Sequence, residues 1–294
     1  MIIAIFSDIH GNDIAFEAAI KHAKSQGAEK FLIAGDLITD YPLTSRVLKR
    51  AKELTPYIVR GNRDELILDY HKKELKDWGD YYQTSLLQYI YDRITPGDLA
   101  FLQTLPPSLL LPLDDKNTLH MTHRIPQKNY HWAKAKEHME IVRSYYRTEA
   151  RYKDAPWSVF VVGHTHSPGI LQDENRLLIN PGSVGGSYVG RFAAEYALLE
   201  WKGGKGEVQI LTADYDRDKA VEALNSHGLL ENPRTTHWTQ LLIKTQDDGR
   251  NYFAELLLEA DRLYTQRKSK APYFPDDVWL DAIEFMVKRR ILPK

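Results

Sequence analysis

The sequence contains no cysteine, so neither a disulfide framework nor a thiolate-bound metal contributes to the fold. It also lacks an excess of charge of one sign, because 39 Lys and Arg nearly balance 40 Asp and Glu, and the formal net charge is −1. A protein that binds nucleic acid through bulk charge is therefore not expected. No apolar stretch approaches membrane-spanning length, and no charged and apolar leader precedes the first predicted strand. These absences predict a cytoplasmic protein without a signal peptide.

The chain has 294 residues, of which 43% are hydrophobic and 27% charged, as in ordinary globular proteins. An α/β metal-binding domain is predicted at residues 1–214, with a polar helical insertion at about 125–156. Residues 215–294 are predicted to form a C-terminal helical extension or small subdomain. The predicted strands are Ile2–Phe6, Lys30–Ala34, Tyr57–Val59, Ser108–Leu113, Thr118–Met121, Ser158–Val162, Arg176–Ile179, Glu195–Trp201 and Glu207–Thr212.

Five short groups of metal-type ligands follow apolar runs that are predicted to be buried strands. Side chains at strand ends sit on rigid supports and can converge at one edge of a sheet. Carboxylate, imidazole and amide groups are ligands that Mn, Fe or Zn accept. Seven such ligands exceed the need of one ion, which predicts two ions that share a carboxylate, and therefore phosphate-ester hydrolysis. The groups are Asp8-Ile9-His10, Gly35-Asp36, Gly61-Asn62, Thr122-His123 and Gly163-His164-Thr165-His166.

Each group alone is weak evidence. Asp36 taken alone would be interpreted as a helix cap or turn residue, and Asn62 as a turn asparagine. His120 lies close to His123, but strand alternation points the two to opposite faces, so only one is expected to reach the site. The order of the groups and their strand context make the combination specific.

The combined pattern resembles the calcineurin-like metallophosphoesterase superfamily. Asn180-Pro181-Gly182-Ser183-Val184-Gly185 resembles its compact bacterial branch of phosphodiesterases and diadenosine tetraphosphate hydrolases. The resemblance implies a four-layer α/β/β/α sandwich of two mixed sheets flanked by helices. It also implies two divalent or trivalent ions, Mn and/or Fe first, with Zn, Ni or Co as alternatives. By the resemblance, Asp8, His10 and His166 hold one ion, Asn62, His123 and His164 hold the other, and Asp36 bridges them.

The activity implied by the resemblance is hydrolysis of a phosphodiester or phosphoanhydride by a metal-bridging hydroxide that attacks phosphorus in line. Asp36, Asn62 and His123 are the expected catalytic residues. The substrate is expected to be a small nucleotide-like molecule such as diadenosine tetraphosphate, and the oligomeric state stays open. A phosphomonoesterase is the alternative, as is a non-catalytic scaffold of the same fold. Every ligand position is occupied, which disfavours the scaffold.

Two positions depart from the family pattern and add positive charge. Arg63 follows Asn62 where many members carry a histidine that is proposed to protonate the leaving group, and Arg124 follows His123 where many carry glycine. Arginine cannot act as an acid near neutral pH, but it neutralises phosphate charge. Asn62, Arg63 and Arg124 are therefore the predicted substrate-binding residues. Surface positions for both arginines are the alternative.

The insertion interleaves basic and aromatic side chains, which fits a cap that grips phosphates and stacks on a base. The favoured alternative is an amphipathic helix with a solvated basic face. Asp64 and His120 are candidates to orient the ligands. The glycines of residues 182–190 predict either a phosphate-binding loop or, preferably, a tight turn. The insertion positions are Arg124, Lys128, Tyr130, His131, Trp132, Lys134, Lys136, Arg143, Tyr145, Tyr146, Arg147 and Arg151.

Overall fold

The computed structural model describes residues 1–72, 81–126, 135–149, 158–174, 176–271 and 273–293. These residues form nine β-strands in two sheets and ten α-helices, none of which is long and apolar enough to cross a membrane. The strands are β1 (Ile2–Phe6), β2 (Lys30–Ile33), β3 (Ser108–Pro112), β4 (Thr118–Thr122), β5 (Val159–Val162), β6 (Gly169–Asp173), β7 (Arg176–Asn180), β8 (Ala193–Lys202) and β9 (Lys205–Asp214). The helices are α1 (Asp13–Ser25), α2 (Thr44–Leu54), α3 (Asn62–His71), α4 (Ser85–Tyr91), α5 (Pro96–Thr104), α6 (Ala135–Thr148), α7 (Arg217–Ser226), α8 (Thr236–Asp248), α9 (Tyr252–Gln266) and α10 (Asp276–Lys288).

The first sheet has the strand order β2-β1-β8-β9. Strand β1 is an apolar run that is buried over most of its length, as expected for a strand covered on both faces. It pairs in parallel with β2 and antiparallel with β8. On one face Phe6 meets Phe16 of α1 edge to face, with ring centroids 5.7 Å apart. Because β1 and β2 are parallel, the residues that follow them emerge at one edge.

The second sheet has the strand order β3-β4-β5-β7-β6. Its three central strands, β4, β5 and β7, are parallel, whereas the outer strands β3 and β6 pair antiparallel with their neighbours. Strand β5 is the run Val-Phe-Val-Val, and all four residues are buried. The parallel arrangement again brings the residues after β4 and β5 to one edge.

The two sheets pack face to face through residues such as Ile5 of the first sheet and Met121 and Val161 of the second. Helices including α1 and α2 cover the outer face of the first sheet, and α6 covers the outer face of the second. The layers therefore run helix, sheet, sheet, helix. This confirms the four-layer sandwich that the resemblance implies.

Three elements differ from those predicted. The predicted strand Tyr57–Val59 is wrong, because its pairing is limited to one isolated bridge between Ile58 and Ile33. Strand β6 is missed, since it is an edge strand whose Ile170 is 42% exposed and which lacks a continuous apolar run. Helix α8 lies in a stretch for which the sequence predicts no bounded helix.

The described part of the insertion is helix α6, and it does not cover the strand ends. Tyr145 and Tyr146 are 5% and 1% exposed and pack on the outer face of the second sheet beside Phe160. These rings are buried and cannot stack on a base. For α6 the cap interpretation is therefore wrong, and the amphipathic helix is the correct one. The predicted cap residues at 127–134 and 150–157 lie outside the described residues.

A buried hydrogen-bond network ties the C-terminal helices to the sheets. The Tyr215 hydroxyl donates to Gln246 of α8, and the Gln246 amide donates to the Tyr41 hydroxyl at 2.9 Å. The Asn12 amide donates to the Tyr215 hydroxyl at 3.2 Å. Asn12 caps α1 directly after the turn that contains His10. Helix α8 is therefore held against that turn.

A close approach at the end of α8 gives a second attachment. Helix α8 ends at Gly249, which has a left-handed φ of 69°. A Cβ at Gly249 would lie 2.8 Å from the carbonyl oxygen of Tyr188 and 2.8 Å from the amide nitrogen of Gly190. Gly228, just after α7, also has a left-handed φ, of 72°, but a Cβ added there would have no atom within 4 Å. A comparison of substitutions at the two glycines therefore separates the cost of backbone strain from the cost of lost close packing.

Gly249→Ala is expected to lower the free energy of unfolding by roughly 2–3 kcal/mol, against about 1 kcal/mol for Gly228→Ala. Both changes place alanine in the left-handed region, but only the first forces two backbone segments apart. Urea unfolding of both variants and the wild type measures the difference. Equal losses would contradict the tight packing of α8 against the Tyr188–Gly190 loop.

Candidate metal centre

The ligand-type side chains lie where parallel strands of both sheets end. Asp8 and His10 follow β1, Asp36 follows β2, and His164 and His166 follow β5. All five residues have a left-handed backbone, with φ between 50° and 75°. For a residue other than glycine this conformation costs about 1 kcal/mol or more. The tight turns aim these side chains at a common point.

Asp8, His10 and His166 form the first of two ligand groups, with all ligand atoms within 4.8 Å of one another. The Nε2 atoms of His10 and His166 are 3.0 Å apart. Asp8 Oδ1 lies 3.7 Å from the first and 3.4 Å from the second. This oxygen is buried and finds no hydrogen-bond partner among the described residues. Three ligand atoms thus converge on one point.

Asp36, His123 and His164 form the second group by the same measure. His123 Nε2 lies 3.4 Å from Asp36 Oδ2 and 3.0 Å from Asn62 Oδ1. The rings of His123 and His164 stand nearly perpendicular, with centroids 5.2 Å apart. Asn62 therefore adds an amide oxygen to the group.

The Asp36 carboxylate lies between the two groups. Its Oδ2 is 3.4 Å from His123 Nε2 and 3.9 Å from His10 Nε2. Its Oδ1 accepts a hydrogen bond of 2.7 Å from the backbone amide of Arg63, which fixes the orientation of the carboxylate. One carboxylate thus faces both groups, and the structure brings all seven predicted side chains into one cluster.

The hydrogen bonds of the rings test whether these residues suit cations. His123 Nδ1 lies 2.7 Å, and His166 Nδ1 2.8 Å, from a backbone carbonyl oxygen. A carbonyl only accepts, so Nδ1 is protonated in both rings, and Nε2 is the atom that each ring would offer to a cation. His10 Nδ1 is similarly 3.1 Å from the Asp40 carboxylate. With the unpartnered oxygen of Asp8, these nitrogen and oxygen donors fit a pair of cations.

The charges of the cluster also favour a cation. Burial raises the pKa of Asp8 and of Asp36, but the facing imidazoles outweigh burial and hold both pKa values well below the ordinary range. Burial lowers the pKa of His123, yet the neighbouring Asp36 carboxylate raises it to about 9. The carboxylates are therefore ionised in a buried place and attract positive charge.

Asp64 supports two of the ligand turns. Its carboxylate accepts hydrogen bonds from the amides of Leu37, at 3.1 Å, and Gly61, at 2.8 Å. Burial and the nearby Asp36 carboxylate raise the pKa of Asp64 to about 7. The side chain thereby joins the turn that contains Asp36 to the turn that contains Asn62.

His120 takes no part in the cluster. Its ring packs against Phe160 with centroids 4.9 Å apart, on the face of the second sheet that α6 covers. His123 lies beyond the strand end and faces the ligands. The alternation of side chains in β4 therefore separates the two histidines as the sequence predicts.

The glycine-rich stretch after β7 is a turn beneath the cluster. The amides of Val184 and Gly185 donate to the carbonyl oxygens of Ser7 and Asp8, at 3.0 Å and 2.9 Å. The Ser183 hydroxyl accepts from the Gly186 amide at 2.9 Å. These N–H groups already have partners and cannot also bind phosphate. The tight-turn interpretation is the correct one.

Glu195 of β8 is buried beside this turn. Glu195 is 4% exposed, and its Oε2 has no hydrogen-bond partner within the described ranges. Burial raises the pKa of Glu195 to about 7. The folded protein therefore holds this proton more tightly than the unfolded chain does.

The contribution of Glu195 to the free energy of unfolding is expected to fall as pH rises from about 4.5 to about 7 and to stay constant above that pH. The contribution of Glu195 is at most about 3 kcal/mol. Glu195→Gln, which stays neutral, should remove the share of this loss that belongs to Glu195, whereas Glu200→Gln on the exposed end of β8 should keep it. Urea unfolding at pH 5 and pH 8, with chelator present, measures the difference from wild type. An unchanged pH dependence in Glu195→Gln would rule out a buried protonated carboxyl.

A cleft of about 900 Å³, its open mouth included, lies over the cluster. Arg63 lines it and is the only Lys or Arg among the described lining residues. Arg124 does not line it. The Arg124 side chain is 47% exposed and pairs with Glu65 at 3.1 Å, so its predicted substrate-binding role is not supported. The surface alternative is correct for this arginine.

The opposite side of the cleft comes from the C-terminal helices α8 and α9. The sequence predicts only a C-terminal helical extension or small subdomain at residues 215–294, and the part of these helices in the cleft is missed. No spacing or motif in residues 236–257 marks them as site residues. Those that line the cleft are Trp238, Leu242, Thr245, Asn251, Phe253, Ala254 and Leu257.

Three residues beside the ligands are also missed. Thr39 Oγ1 lies 3.2 Å from His10 Nδ1, and Asp40 approaches the same nitrogen. The ring of Tyr188 stacks on His166 with centroids 5.6 Å apart and an interplanar angle of 21°. Thr39 and Asp40 follow the Gly-Asp group by a few residues, but this spacing does not distinguish them from ordinary turn residues.

The sequence of the sheets and of the cluster matches a known family. A model of the calcineurin-like phosphoesterase superfamily domain matches residues 1–204, which contain all seven ligand-type side chains. The chain belongs to this superfamily. It is therefore a metal-dependent phosphoesterase, and its structure contains two candidate metal-binding groups.

Similarity to individual proteins extends over most of the chain. An uncharacterized protein of Methanocaldococcus jannaschii is 26% identical over 244 residues, covering 78% of this chain and 94% of that protein. A metallophosphoesterase from Sphaerobacter thermophilus shares the fold with a TM-score of 0.61 and 20% identity, over 85% of this chain and 100% of that chain. A hypothetical protein from Pyrococcus horikoshii gives a TM-score of 0.60 and 19% identity, over 85% and 98%.

Proposed function

We propose that the protein is a dinuclear metal hydrolase that cleaves phosphodiester or phosphoanhydride bonds of nucleotide-like substrates. The observation that carries this proposal is the position of Asp36, whose Oδ2 faces His123 at 3.4 Å and His10 at 3.9 Å. A carboxylate between two ligand groups is what a pair of ions requires. Asp8, His10 and His166 would hold one ion, Asn62, His123 and His164 would hold the other, and both ions would share Asp36.

Two bound ions would supply Lewis acidity and a water molecule whose pKa is lowered toward neutrality. Mn and Fe suit the mixed carboxylate, imidazole and amide donors, and Zn, Ni and Co are accepted by the same set. Asp36 and the hydrogen-bonded rings hold the donors in place. The amide of Asn62 contacts His123 and lines the cleft, where it can also orient a phosphate oxygen.

The leaving group must depart without a strong acid from the protein. Arg63 stands where many relatives have a histidine, and a guanidinium does not donate its proton near neutral pH. The histidines that line the described part of the cleft, His10, His164 and His166, all belong to the two ligand groups. This favours leaving groups that are stable without protonation, such as an aryl oxide or the phosphate of a nucleotide anhydride, over simple alkoxides.

The charge of the cleft bears on the number of phosphates. Arg63 is the only Lys or Arg among the described lining residues, and Asp40 adds a negative charge to the same lining. A diester with one negative charge therefore suits the cleft better than a chain of four phosphates. Diadenosine tetraphosphate remains one of the proposed substrates, but a simple phosphodiester is the preferred one.

A metal-by-substrate panel tests the proposal. The protein is stripped with chelator, reloaded with Mn, Fe, Zn or Ni, and assayed on bis(p-nitrophenyl) phosphate, p-nitrophenyl phosphate and diadenosine tetraphosphate. Metal-dependent cleavage of the diester with little cleavage of the monoester is the expected result. Preference for the monoester would make the protein a phosphatase, and silence with every metal would make it a scaffold.

A further inference from the structure

The cleft has two chemically different sides. The ligand cluster and Arg63 form one, and an apolar surface that includes Trp238, Leu242, Phe253 and Leu257 forms the other. The family match ends at residue 204, so the apolar side comes from chain beyond it. Apolar side chains contribute little to phosphate recognition. They therefore contact the part of a substrate that is not phosphate.

The apolar side is rigid. The indole N–H of Trp238 donates to the backbone carbonyl of Gln83 at 3.3 Å. The Trp238 ring lies 4.8 Å from that of Phe253 and 5.4 Å from that of Trp279, measured between centroids. Its polar atom is thus satisfied elsewhere, and its ring is held by two others. Little conformational entropy is lost when a planar group packs there.

The distance between the two sides is also fixed. Gln246 of α8 donates to Tyr41, and the close approach at Gly249 holds the end of the same helix against the Tyr188 loop. The ring of Tyr188 in turn stacks on His166. A phosphate at the cluster therefore presents its substituent to α8 and α9 at one separation.

One polar group interrupts the apolar surface. Thr245 lines the cleft and is 0% exposed, and its hydroxyl has no hydrogen-bond partner within the part of the chain that the structure describes. An unpartnered buried hydroxyl is unfavourable, and a ligand with a hydrogen-bonding edge would satisfy it. An alkyl chain or a plain phenyl ring would not.

We propose that α8 and α9 form the binding site for a heteroaromatic ring of the substrate, such as a nucleobase. The ring face packs on Phe253 and Leu257, and an edge atom forms a hydrogen bond with the Thr245 hydroxyl. Arg63 is left to neutralise the phosphate. This site rests on the proposed hydrolase function and names the group that the substrate carries.

Binding of small phosphates to the Mn-loaded protein tests the site separately from catalysis. Titration calorimetry compares AMP with ribose 5-phosphate, which lacks the base, and phenyl phosphate with methyl phosphate, each ligand being checked for turnover. AMP is expected to bind at least about 5-fold more tightly than ribose 5-phosphate, because stacking of a base is worth that much or more. The gain in affinity of phenyl phosphate over methyl phosphate should be smaller than that of AMP over ribose 5-phosphate, because a phenyl ring cannot form a hydrogen bond with Thr245.

Two substitutions separate the ring face from the ring edge. Leu257→Ala should weaken AMP and phenyl phosphate alike by about 3- to 10-fold, through lost apolar contact. Thr245→Val keeps the shape and should weaken AMP by about 3- to 10-fold while sparing phenyl phosphate. Leu258→Ala is the matched control, because Leu258 is the next residue of α9 and is 57% exposed. Phe253→Leu repeats the test of the ring face with a smaller change of volume.

The outcomes distinguish this site from the proposed function. Equal binding of AMP and ribose 5-phosphate, with diester hydrolysis intact, would overturn the ring site alone. So would a preference for AMP that Leu257→Ala, Phe253→Leu and Thr245→Val all leave unchanged. A preference for AMP that the variants remove, in a protein that hydrolyses no diester, would support the ring site and reject the hydrolase.

Discussion

Asp36→Ala is expected to lower kcat/KM for the metal-loaded protein on bis(p-nitrophenyl) phosphate by at least about a thousandfold. The Asp36 carboxylate faces both ligand groups, at 3.4 Å from His123 and 3.9 Å from His10. Its removal leaves neither ion with its shared ligand. Transition-state stabilisation of several kcal/mol is then lost, and each 1.4 kcal/mol is worth about tenfold in rate. Initial rates at saturating Mn measure the loss.

The same variant should remain folded. Asp36 belongs to neither hydrophobic cluster of the two sheets, so its removal leaves the packing of the strands and helices in place. Asp69→Ala, at an exposed position of α3, is the control for loss of a carboxylate and should keep the wild-type rate. His164→Ala should behave as Asp36→Ala does. Full activity in Asp36→Ala or His164→Ala, with folding verified by circular dichroism, would reject the two-ion assignment.

Addition of Mn to the chelator-stripped protein is expected to raise the midpoint of thermal unfolding by roughly 5–15 °C. A ligand present at 100 to 1,000 times its Kd stabilises the folded state by about 3–4 kcal/mol. For a chain of this size that amounts to several degrees. The ions also neutralise buried carboxylates and engage the unpartnered Oδ1 of Asp8. Differential scanning calorimetry with and without Mn measures the shift.

The shift depends on the ligands and not on negative charge in general. Asp8→Asn combined with His166→Ala replaces one charged donor of the first group with a neutral amide and removes a second donor, and the Mn-induced shift should fall by half or more. Asp69→Asn should keep the full shift. An equal shift in the double variant and the wild type would place the bound Mn elsewhere on the protein.

The part of the site that lies at strand ends could be predicted because it is encoded locally. An apolar run marks each supporting strand, and the ligand follows within a few residues, as with Asp8 after β1 and His164 after β5. Parallel pairing then gathers these ends at one edge. Helix α5 was predictable for the same local reason, since Thr95 and Asp98 form a capping box at its start.

What could not be predicted depends on contacts between distant segments. Helix α8 lies in the stretch that was predicted to be helical, but its bounds and its part in the cleft were missed. Its place is set by Gln246 and Gly249, which meet residues far away in the chain. Arg124 was misplaced, since its neighbour in sequence, His123, faces the cluster while the arginine pairs with Glu65 at the surface. Adjacent residues diverge at a strand end, and only the turn geometry decides which of them reaches the site.

The central claim is that catalysis needs two ions in the cluster around Asp36. Its most direct test is to add Mn in equivalents to the stripped protein and to measure bound Mn and diester hydrolysis on the same samples. We expect binding to saturate at two ions per chain and hydrolysis of bis(p-nitrophenyl) phosphate to reach its maximum only with the second ion. Full hydrolysis in the presence of chelator, or maximal activity with one ion bound, would contradict it.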